Sequence, residues 1–131
     1  MKVAVDTNVL VRAVVLDDPK QAKVAAKVMR DAQVIAVALP CLCEFVWVLR
    51  SVYGFEAQDI AQSIRALLCS AKVQMNRPAV EAGLAVLEAG GDFADGVIAY
   101  EGLWLGGDTF VSFDKKVVSL LTAQGQSARL L

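Results

Sequence analysis

Short apolar runs alternate with longer segments of helical periodicity along the chain, and this alternation constrains the fold more than any other feature. Each run is too short for a helix, so it predicts a strand. Strands that alternate with helices are typical of a parallel sheet covered by helices on both faces. The predicted strands are residues 2–6, 33–39, 72–75, 109–113 and 128–131, and the predicted helices are residues 8–16, 40–53, 57–71, 78–89, 96–105 and 115–123, with a further helix that begins near Pro19.

Two aspartates stand where predicted strands end. Asp6 follows the apolar run of residues 3–5, which predicts a buried strand, and Asp114 follows the run of residues 109–113. Ligands bind outside the carboxyl ends of the strands in an open parallel sheet, so two carboxylates distant in sequence can meet there. Each aspartate could equally cap the helix that follows it. The residues alone leave both roles open.

Glu44 is the one charged residue in a predicted helix that is otherwise apolar as far as Leu49. Its neighbours three or four residues away include Cys41 and Trp47, so we expect the carboxylate to lie among apolar side chains. An unpartnered carboxylate in such a place would lose several kcal/mol of solvation, so Glu44 needs a cation. That cation is either a metal ion or a basic side chain of the protein.

Asp92 and Asp95 lie three residues apart at the start of another apolar helix, so their side chains can share a face. One of them as a helix cap explains part of the pattern. Two carboxylates on one face are unfavourable unless a positive partner is present. Asp95 is nearer the apolar run of residues 97–100, and we expect it to be the one that faces inward.

The chain contains no histidine. This absence excludes Ser-His-Asp and Cys-His catalysis, zinc held by histidine and a histidine general base. The carboxylates that can be placed at one edge of the sheet are Asp6, Glu44, Asp95 and Asp114. Oxygen ligands in that number suit Mg²⁺ or Mn²⁺, which would create a nucleophilic hydroxide and hold the oxygens of a phosphodiester. Such ions also offset the repulsion between an acidic site and an anionic substrate.

Asn8 and Ser112 are supporting candidates. Asn8 lies two residues beyond Asp6 and could orient that carboxylate or a water molecule. Ser112 lies two residues before Asp114, so in a strand both side chains face the same side. Each is also a common kind of local cap or strand residue.

The length of 131 residues is that of one domain, 1–131, with room for a real core. The hydrophobic fraction of 56% omits Gly, yet it exceeds the roughly 45–50% expected when Gly is counted. Such a chain has a deep core or hides apolar surface against a partner.

The longest uncharged run, residues 32–43, is short of the roughly 20 residues that span a bilayer, and no signal-peptide core is present. We therefore expect a cytoplasmic protein without a membrane segment.

Cysteines and basic residues suggest no further site. The cysteines lie in apolar contexts without a CxxC spacing, and we expect reduced core residues at Cys41, Cys43 and Cys69. Four basic residues recur at helical spacing and predict a solvated face, with contact to phosphate as the alternative: Lys20, Lys23, Lys27 and Arg30. The net charge is −1, so the field of the whole protein would not attract nucleic acid.

The chain resembles a PIN domain and, within that family, the small VapC-type toxins of toxin–antitoxin pairs. The resemblance is carried by VAVDTNVLVRA, CEFVWVLRSVYG, DFADGVIA and FVSFDKKV, which span the full length in the order and spacing of the family. Ser112 stands where the family usually has Thr, and the hydroxyl is kept. Phe45 follows Glu44 where Leu is common, which changes packing rather than a ligand.

The resemblance implies a three-layer α/β sandwich, with a five-stranded parallel sheet in the order 3-2-1-4-5 and helices on both faces. It implies metal-binding and catalytic roles for Asp6, Glu44, Asp95 and Asp114, with Asn8, Asp92 and Ser112 in supporting roles. It further implies a Mg²⁺- or Mn²⁺-dependent endoribonuclease toxin that acts on RNA as a homodimer. A VapB-like antitoxin would inactivate it through a helix on its apolar surface, and family antitoxins often insert an arginine toward the carboxylates.

Two alternatives come from other classes. In a signalling module, an aspartate at a strand end accepts phosphate, and the first strand would carry an acidic pair. Here that strand offers one aspartate, and residues 33–39 contain no acid, which counts against this alternative. In a non-catalytic binding subunit, the carboxylates would be purely structural. Stabilisation by a divalent metal distinguishes a nuclease from such a subunit.

Overall fold

A computed structural model describes residues 1–131, and the chain divides into two compact units, Met1–Asn76 and Arg77–Leu131. Seven helices and five short strands are present, and every hydrogen-bonded strand pair is parallel. The class is therefore α/β, as the alternation of apolar runs predicted.

The first unit carries a three-stranded sheet. Its strands are β1 (Lys2–Ala4), β2 (Val34–Ala36) and β3 (Val73–Gln74), paired in the order β1-β2-β3. Its helices are α1 (Thr7–Val14), α2 (Pro19–Asp31), α3 (Leu39–Ser51) and α4 (Ala57–Leu68). Helix α1 packs against α2 and α3, and α3 packs against α4.

Local chemistry fixes the ends of these helices. Pro19 stands in the first turn of α2, where its missing N–H is not needed. Asp18 caps the same helix by accepting a hydrogen bond from the Gln21 amide at 3.0 Å. Gly54 has a φ of 67°, a left-handed conformation that suits the residues after a helix end. The predicted start of α2 and the predicted boundaries of α3 therefore hold to within about two residues, the usual margin of helix assignment.

The second unit is built on a pair of closely packed helices. Its elements are α5 (Arg77–Glu88), α6 (Phe93–Trp104), β4 (Phe110–Ser112), α7 (Lys115–Ala123) and β5 (Ala128–Leu130). Gly83 faces the ring of Phe93, and Gly96 faces the backbone of Ala82, so a side chain at either glycine would collide. Helix α7 packs against the parallel pair β4–β5. One buried cluster of this unit consists of Val86, Ala99, Val117 and Leu121.

The five predicted strands all occur, but their hydrogen bonds form two sheets, of three and two strands, rather than one. The partial orders 3-2-1 and 4-5 are confirmed, whereas the single five-stranded sheet is not. Each strand has only two or three residues. A ladder between such short strands contains few hydrogen bonds, and the apolar pattern of a strand does not specify its partners.

The first strand is not buried, which corrects the prediction for residues 3–5. Lys2 and Ala4 are exposed and Val3 is half-buried, because β1 lies at the edge of its sheet and pairs with β2 alone. Burial is greatest in the middle strand, where Ile35 pairs with Val3 on one side and Val73 on the other and is only 1% exposed.

The cysteines differ from one another in exposure. Cys41 is buried and Cys43 is half-buried, but Cys69 is exposed, so the prediction of three core cysteines is wrong for Cys69. Cys69 follows the last turn of α4, beyond the part of that helix whose inner side is covered. The chain has no disulfide.

The basic face of α2 is exposed, which fits a solvated face and contact with phosphate equally well. Its four residues are Lys20, Lys23, Lys27 and Arg30. None of the seven helices combines the length and the apolar character that crossing a membrane requires.

Candidate active site

Asp6 lies between β1 and α1 and caps the helix. Its Oδ1 accepts a hydrogen bond from the Val9 amide at 3.1 Å, and the side chain is exposed. The capping role that the sequence left open is therefore present. This bond engages one carboxylate oxygen, so the other oxygen can still accept a ligand.

Asp6 and Glu44 both lie near the thiol of Cys41. Burial raises the pKa of Cys41, a hydrogen bond with Thr7 opposes that rise, and the negative charges of Asp6 and Glu44 add to it. The thiol is therefore influenced by both carboxylates, although they come from different helices. Within the first unit, Asp6 and Glu44 are therefore both within electrostatic range of one thiol.

Glu44 itself is exposed, which corrects the prediction of a carboxylate enclosed by apolar side chains. Nearly every residue of this part of α3 is apolar, so composition could not tell which side of the helix is buried. No ion pair within the first unit involves Glu44, so the basic partner considered as an alternative is not found in that unit. The inner side of α3 consists of Cys41, Leu42, Phe45, Val46 and Leu49.

In the second unit, Asp92 caps a helix and Asp95 faces inward. Asp92 is the exposed N-cap of α6 and accepts a hydrogen bond from the Ala94 amide at 3.2 Å. Asp95 is half-buried in the first helical turn, as expected of the inward-facing residue. Burial, the charge of Asp92 and the charge of Asp114, in that order, raise the pKa of Asp95. Asp92 and Asp114 are therefore both within electrostatic range of Asp95.

Asp114 caps α7 and lies beside Ser112. The Lys116 amide donates to Asp114 Oδ1 at 2.9 Å, and the Asp114 amide donates to Ser112 Oγ at 3.0 Å. Both local roles that the sequence analysis named as alternatives are thus present at this strand end. The Ser112 hydroxyl accepts in this contact, so its proton can still be donated to another group.

Asn8 borders a cavity lined by α1 and α2. The cavity has a volume of about 500 Å³, and Asp6 lies at its border with the exposed Asn8. The cavity is therefore bordered both by one candidate carboxylate and by apolar surface of the first unit. The remaining lining residues are Val9, Arg12, Lys20, Gln21, Val24, Ala25 and Val28.

The donor set is chemically suited to a hard divalent cation. The four main candidates are carboxylates, and none forms an ion pair within its own unit. The like charges that raise the pKa of Asp95 are charges that a cation would compensate. Oxygen ligands of this kind suit Mg²⁺ and Mn²⁺. Within neither unit do three acidic or thiol side chains come together as a metal-binding group.

Gly96 is a structural determinant that the sequence analysis missed. It directly follows Asp95, and a Cβ atom there would overlap the backbone of Ala82 and Gly83. Only glycine lets α6 approach α5 so closely, and this approach holds the helical turn that carries Asp95. The available signal was a glycine inside an apolar helical segment.

A polar network in the first unit was also missed. Arg12 Nη1 lies 2.6 Å from Asp17 Oδ1, and the Tyr53 hydroxyl donates to Asp17 Oδ2 at 2.9 Å. Arg12 Nε donates to the side-chain oxygen of Gln21 at 2.9 Å. The network joins α1, α2 and the segment after α3. The network thereby stabilises the packing of α1, which Asp6 caps, against α3, which carries Glu44.

Residues 3–119 match the PIN domain family. The match covers most of the chain and includes every candidate residue, so the chain belongs to the PIN domain family. PIN domains are nucleases that generally use divalent metal ions, so this membership implies an enzyme that acts on nucleic acid. No individual curated protein was found to match the chain.

Proposed function

We propose that this protein is a Mg²⁺- or Mn²⁺-dependent endoribonuclease toxin of the VapC type. One observation carries the proposal: in a PIN domain without histidine, Asp6 and Asp114 each follow a parallel strand and begin a helix, and none of the four candidate carboxylates has an ion-pair partner within its unit. Such a surface attracts a divalent cation and repels RNA unless a cation is bound. The chemistry open to the chain is therefore hydrolysis assisted by a hard metal ion.

We assign metal binding and catalysis to four carboxylates: Asp6, Glu44, Asp95 and Asp114. Asn8, Asp92 and Ser112 take supporting roles. When bound, Mg²⁺ or Mn²⁺ supplies an activated water and offsets the negative charge of the phosphodiester. The assignment is supported by the effect of Asp6 and Glu44 on one thiol, and by the effect of the charge of Asp114 on the pKa of Asp95.

Helix starts support these roles in Asp6 and Asp114. Each carboxylate accepts a hydrogen bond from a backbone N–H through one of its oxygens. This bond fixes the orientation of the side chain and leaves the second oxygen for a ligand. The positive N-terminal ends of α1 and α7 interact favourably with the two negative charges. Asp95 differs, because burial and two neighbouring carboxylates disfavour its charged form. A cation at Asp95 would reverse that effect.

The proposal includes a homodimer and a VapB-like antitoxin. It is supported by large apolar side chains that are exposed in both units, among them Leu16, Val52, Leu105 and Phe113. Apolar surface of this kind is commonly covered by a partner. We propose the cavity lined by α1 and α2 as the seat of an antitoxin helix, with an antitoxin arginine beside Asp6. An RNA substrate and a chain without disulfides agree with action in the cytoplasm.

Expression of the protein in cells tests this function, with total RNA mapped for new ends. We expect cuts at defined positions and arrest of growth. The Asp6→Asn variant should produce neither, because it removes a ligand charge with little change in volume. Growth arrest without RNA cleavage in the wild type would contradict the proposal.

The non-catalytic binding subunit predicts a different result. Its carboxylates would be structural, so neither Mn²⁺ nor Mg²⁺ would raise the melting temperature, and purified protein would cut no RNA. The caps formed by Asp6, Asp92 and Asp114 are the observation that favours this candidate, because capping is a structural role. The Asn substitutions described below separate capping from metal binding.

A further inference from the structure

We infer that Trp47 stacks on a base of the RNA substrate beside Glu44, an inference that rests on the proposed nuclease function. Trp47 lies three residues beyond Glu44 on α3, which is about 4.5 Å along the helix axis. Residues at this spacing share a face of a helix. The indole is therefore adjacent to a carboxylate of the proposed active site.

The indole of Trp47 is available to a ligand. Its side of α3 points away from the core, and 63% of the residue is exposed. Phe45 and Val46, its neighbours in sequence, are 1% and 2% exposed, so the helix is firmly anchored beneath it. A rigid helix with a large flat ring on its outer side is a suitable platform for a base.

Charge favours stacking as the mode of contact at this place. The protein has a net charge of −1, and Trp47 lies one helical turn from the exposed Glu44, whose carboxylate would repel a phosphate group. Stacking is a contact that does not depend on charge, and every base offers a flat face for it. Trp47 can therefore supply affinity that does not depend on the charge of the surrounding side chains.

Trp104 provides the matched comparison. It is 77% exposed, yet its ring lies 6.4 Å from that of Tyr100, and it stands nine residues beyond Asp95. That spacing corresponds to about 13.5 Å along the axis of α6. These are the only two tryptophans of the chain, so each can be observed alone after the other is replaced.

Tryptophan fluorescence tests the inference directly. Protein with all four candidate carboxylates intact is mixed rapidly with a short single-stranded RNA of mixed sequence in Mg²⁺, at a series of RNA concentrations, and fluorescence is recorded before cleavage proceeds. With Trp104→Phe added, only Trp47 emits, and we expect saturable quenching. With Trp47→Phe added instead, only Trp104 emits, and we expect little change. Equal quenching of both, or no quenching of Trp47 at any RNA concentration, contradicts the inference.

Variants with intact carboxylates separate stacking from other apolar contact. Trp47→Leu keeps an apolar side chain without a flat ring, and Trp47→Phe keeps a smaller ring. We expect Trp47→Leu to raise the KM for RNA about tenfold with kcat nearly unchanged, and Trp47→Phe to retain most of the wild-type affinity. An unchanged KM in both variants contradicts the inference. Melting temperatures should stay near the wild-type value, because the residue is exposed.

The outcomes also distinguish this inference from the proposed function. Cleavage of RNA without quenching of Trp47 removes the stacking role and leaves the nuclease intact. Quenching by RNA without any cleavage in the wild type removes the nuclease and leaves an RNA-binding surface. Quenching that depends on protein concentration in the absence of RNA shows that a second copy covers Trp47, and this result overturns the inference.

Discussion

Asp95 is subject to the negative charge of Asp114, which begins the next helix of the same unit. Burial of Asp95, the charge of Asp92 and the charge of Asp114, in that order, raise the pKa of Asp95. A carboxylic acid whose pKa is raised on folding destabilises the folded state when it ionises. The charge of Asp95 therefore lowers the stability of the metal-free protein, whereas a bound cation would compensate that charge.

Replacement of Asp95 by Asn should stabilise the metal-free protein at neutral pH. The unfavourable charge is lost, and we expect a gain below about 1 kcal/mol because the residue is partly exposed. The stabilisation by Asp95→Asn is fully present above the raised pKa that Asp95 has in the folded state. It disappears below the ordinary pKa of about 3.9, where Asp95 is protonated in the folded and in the unfolded protein. Melting curves in EDTA at pH 7 and pH 3 measure it.

Asp59 offers the control, because it also lies in the first turn of a helix, α4, and it is exposed. Asp59→Asn should leave the melting temperature unchanged or lower it slightly, through loss of a favourable charge at a helix start. The same stabilisation in both variants would show that the charge of Asp95 is not specially disfavoured.

Binding of a divalent cation should stabilise the folded protein. At a metal concentration about one hundred times the dissociation constant, the gain is about 2.7 kcal/mol, equivalent to several degrees in melting temperature. Asp6→Asn should lose most of this gain, because asparagine can cap α1 and cannot supply the charge. Asp18→Asn is the control, since Asp18 caps α2 outside the candidate site. Equal metal-induced shifts in the two variants would count against Asp6 as a ligand.

Gly96→Ala should strongly destabilise the second unit. A methyl group there meets the backbone of Ala82 and Gly83, so α6 must move away from α5 at a cost of about 1–3 kcal/mol. Gly102→Ala in the same helix is the control, because its Cβ would lie in open space. That variant should gain about 0.4–1 kcal/mol. Chemical denaturation measures both changes, and a neutral Gly96→Ala would show that the helices are not in such close contact.

The polar network around Asp17 should make stability depend on pH. A hydrogen bond from Tyr53, followed by the charge of Arg12, lowers the pKa of Asp17 against the opposing effect of burial. The resulting stability is present above the ordinary pKa of an aspartate and is lost as the pH falls through the lowered value. Tyr53→Phe should therefore lower the melting temperature at pH 7 and have less effect in strong acid. An identical loss at both pH values would indicate a packing role for Tyr53 instead.

Local signals in the sequence predicted elements and caps. Asp6 at the end of an apolar run, Pro19 after two acids and Gly54 after a long apolar helix each act within a few residues, so their effects are visible in the sequence. The same holds for Asp95, whose inward position follows from its place in one helical turn. Two of the predicted roles, capping and site formation, use the same carboxylates, which is why the residues alone left them open.

Other features depend on contacts that no local pattern encodes. Glu44 is exposed although nearly all of its neighbours are apolar, because burial depends on which side of α3 meets the rest of the unit. The pairing of strands as two sheets depends on hydrogen bonds between distant segments. The need for Gly96 comes from the backbone of another helix. These features required the three-dimensional structure.

Cleavage of RNA by purified protein in Mn²⁺ or Mg²⁺ is the most direct test of the central claim, that capping carboxylates also hold the catalytic metal. The comparison uses Asp6→Asn and Asp114→Asn, which can keep their helix caps, against Asp18→Asn, which changes a cap elsewhere. The account predicts that the first two lose at least about a hundredfold in activity and that the third retains it. The account would be contradicted if Asp6→Asn or Asp114→Asn cleaved RNA at the wild-type rate. It would also be contradicted if the wild-type protein cleaved RNA in EDTA.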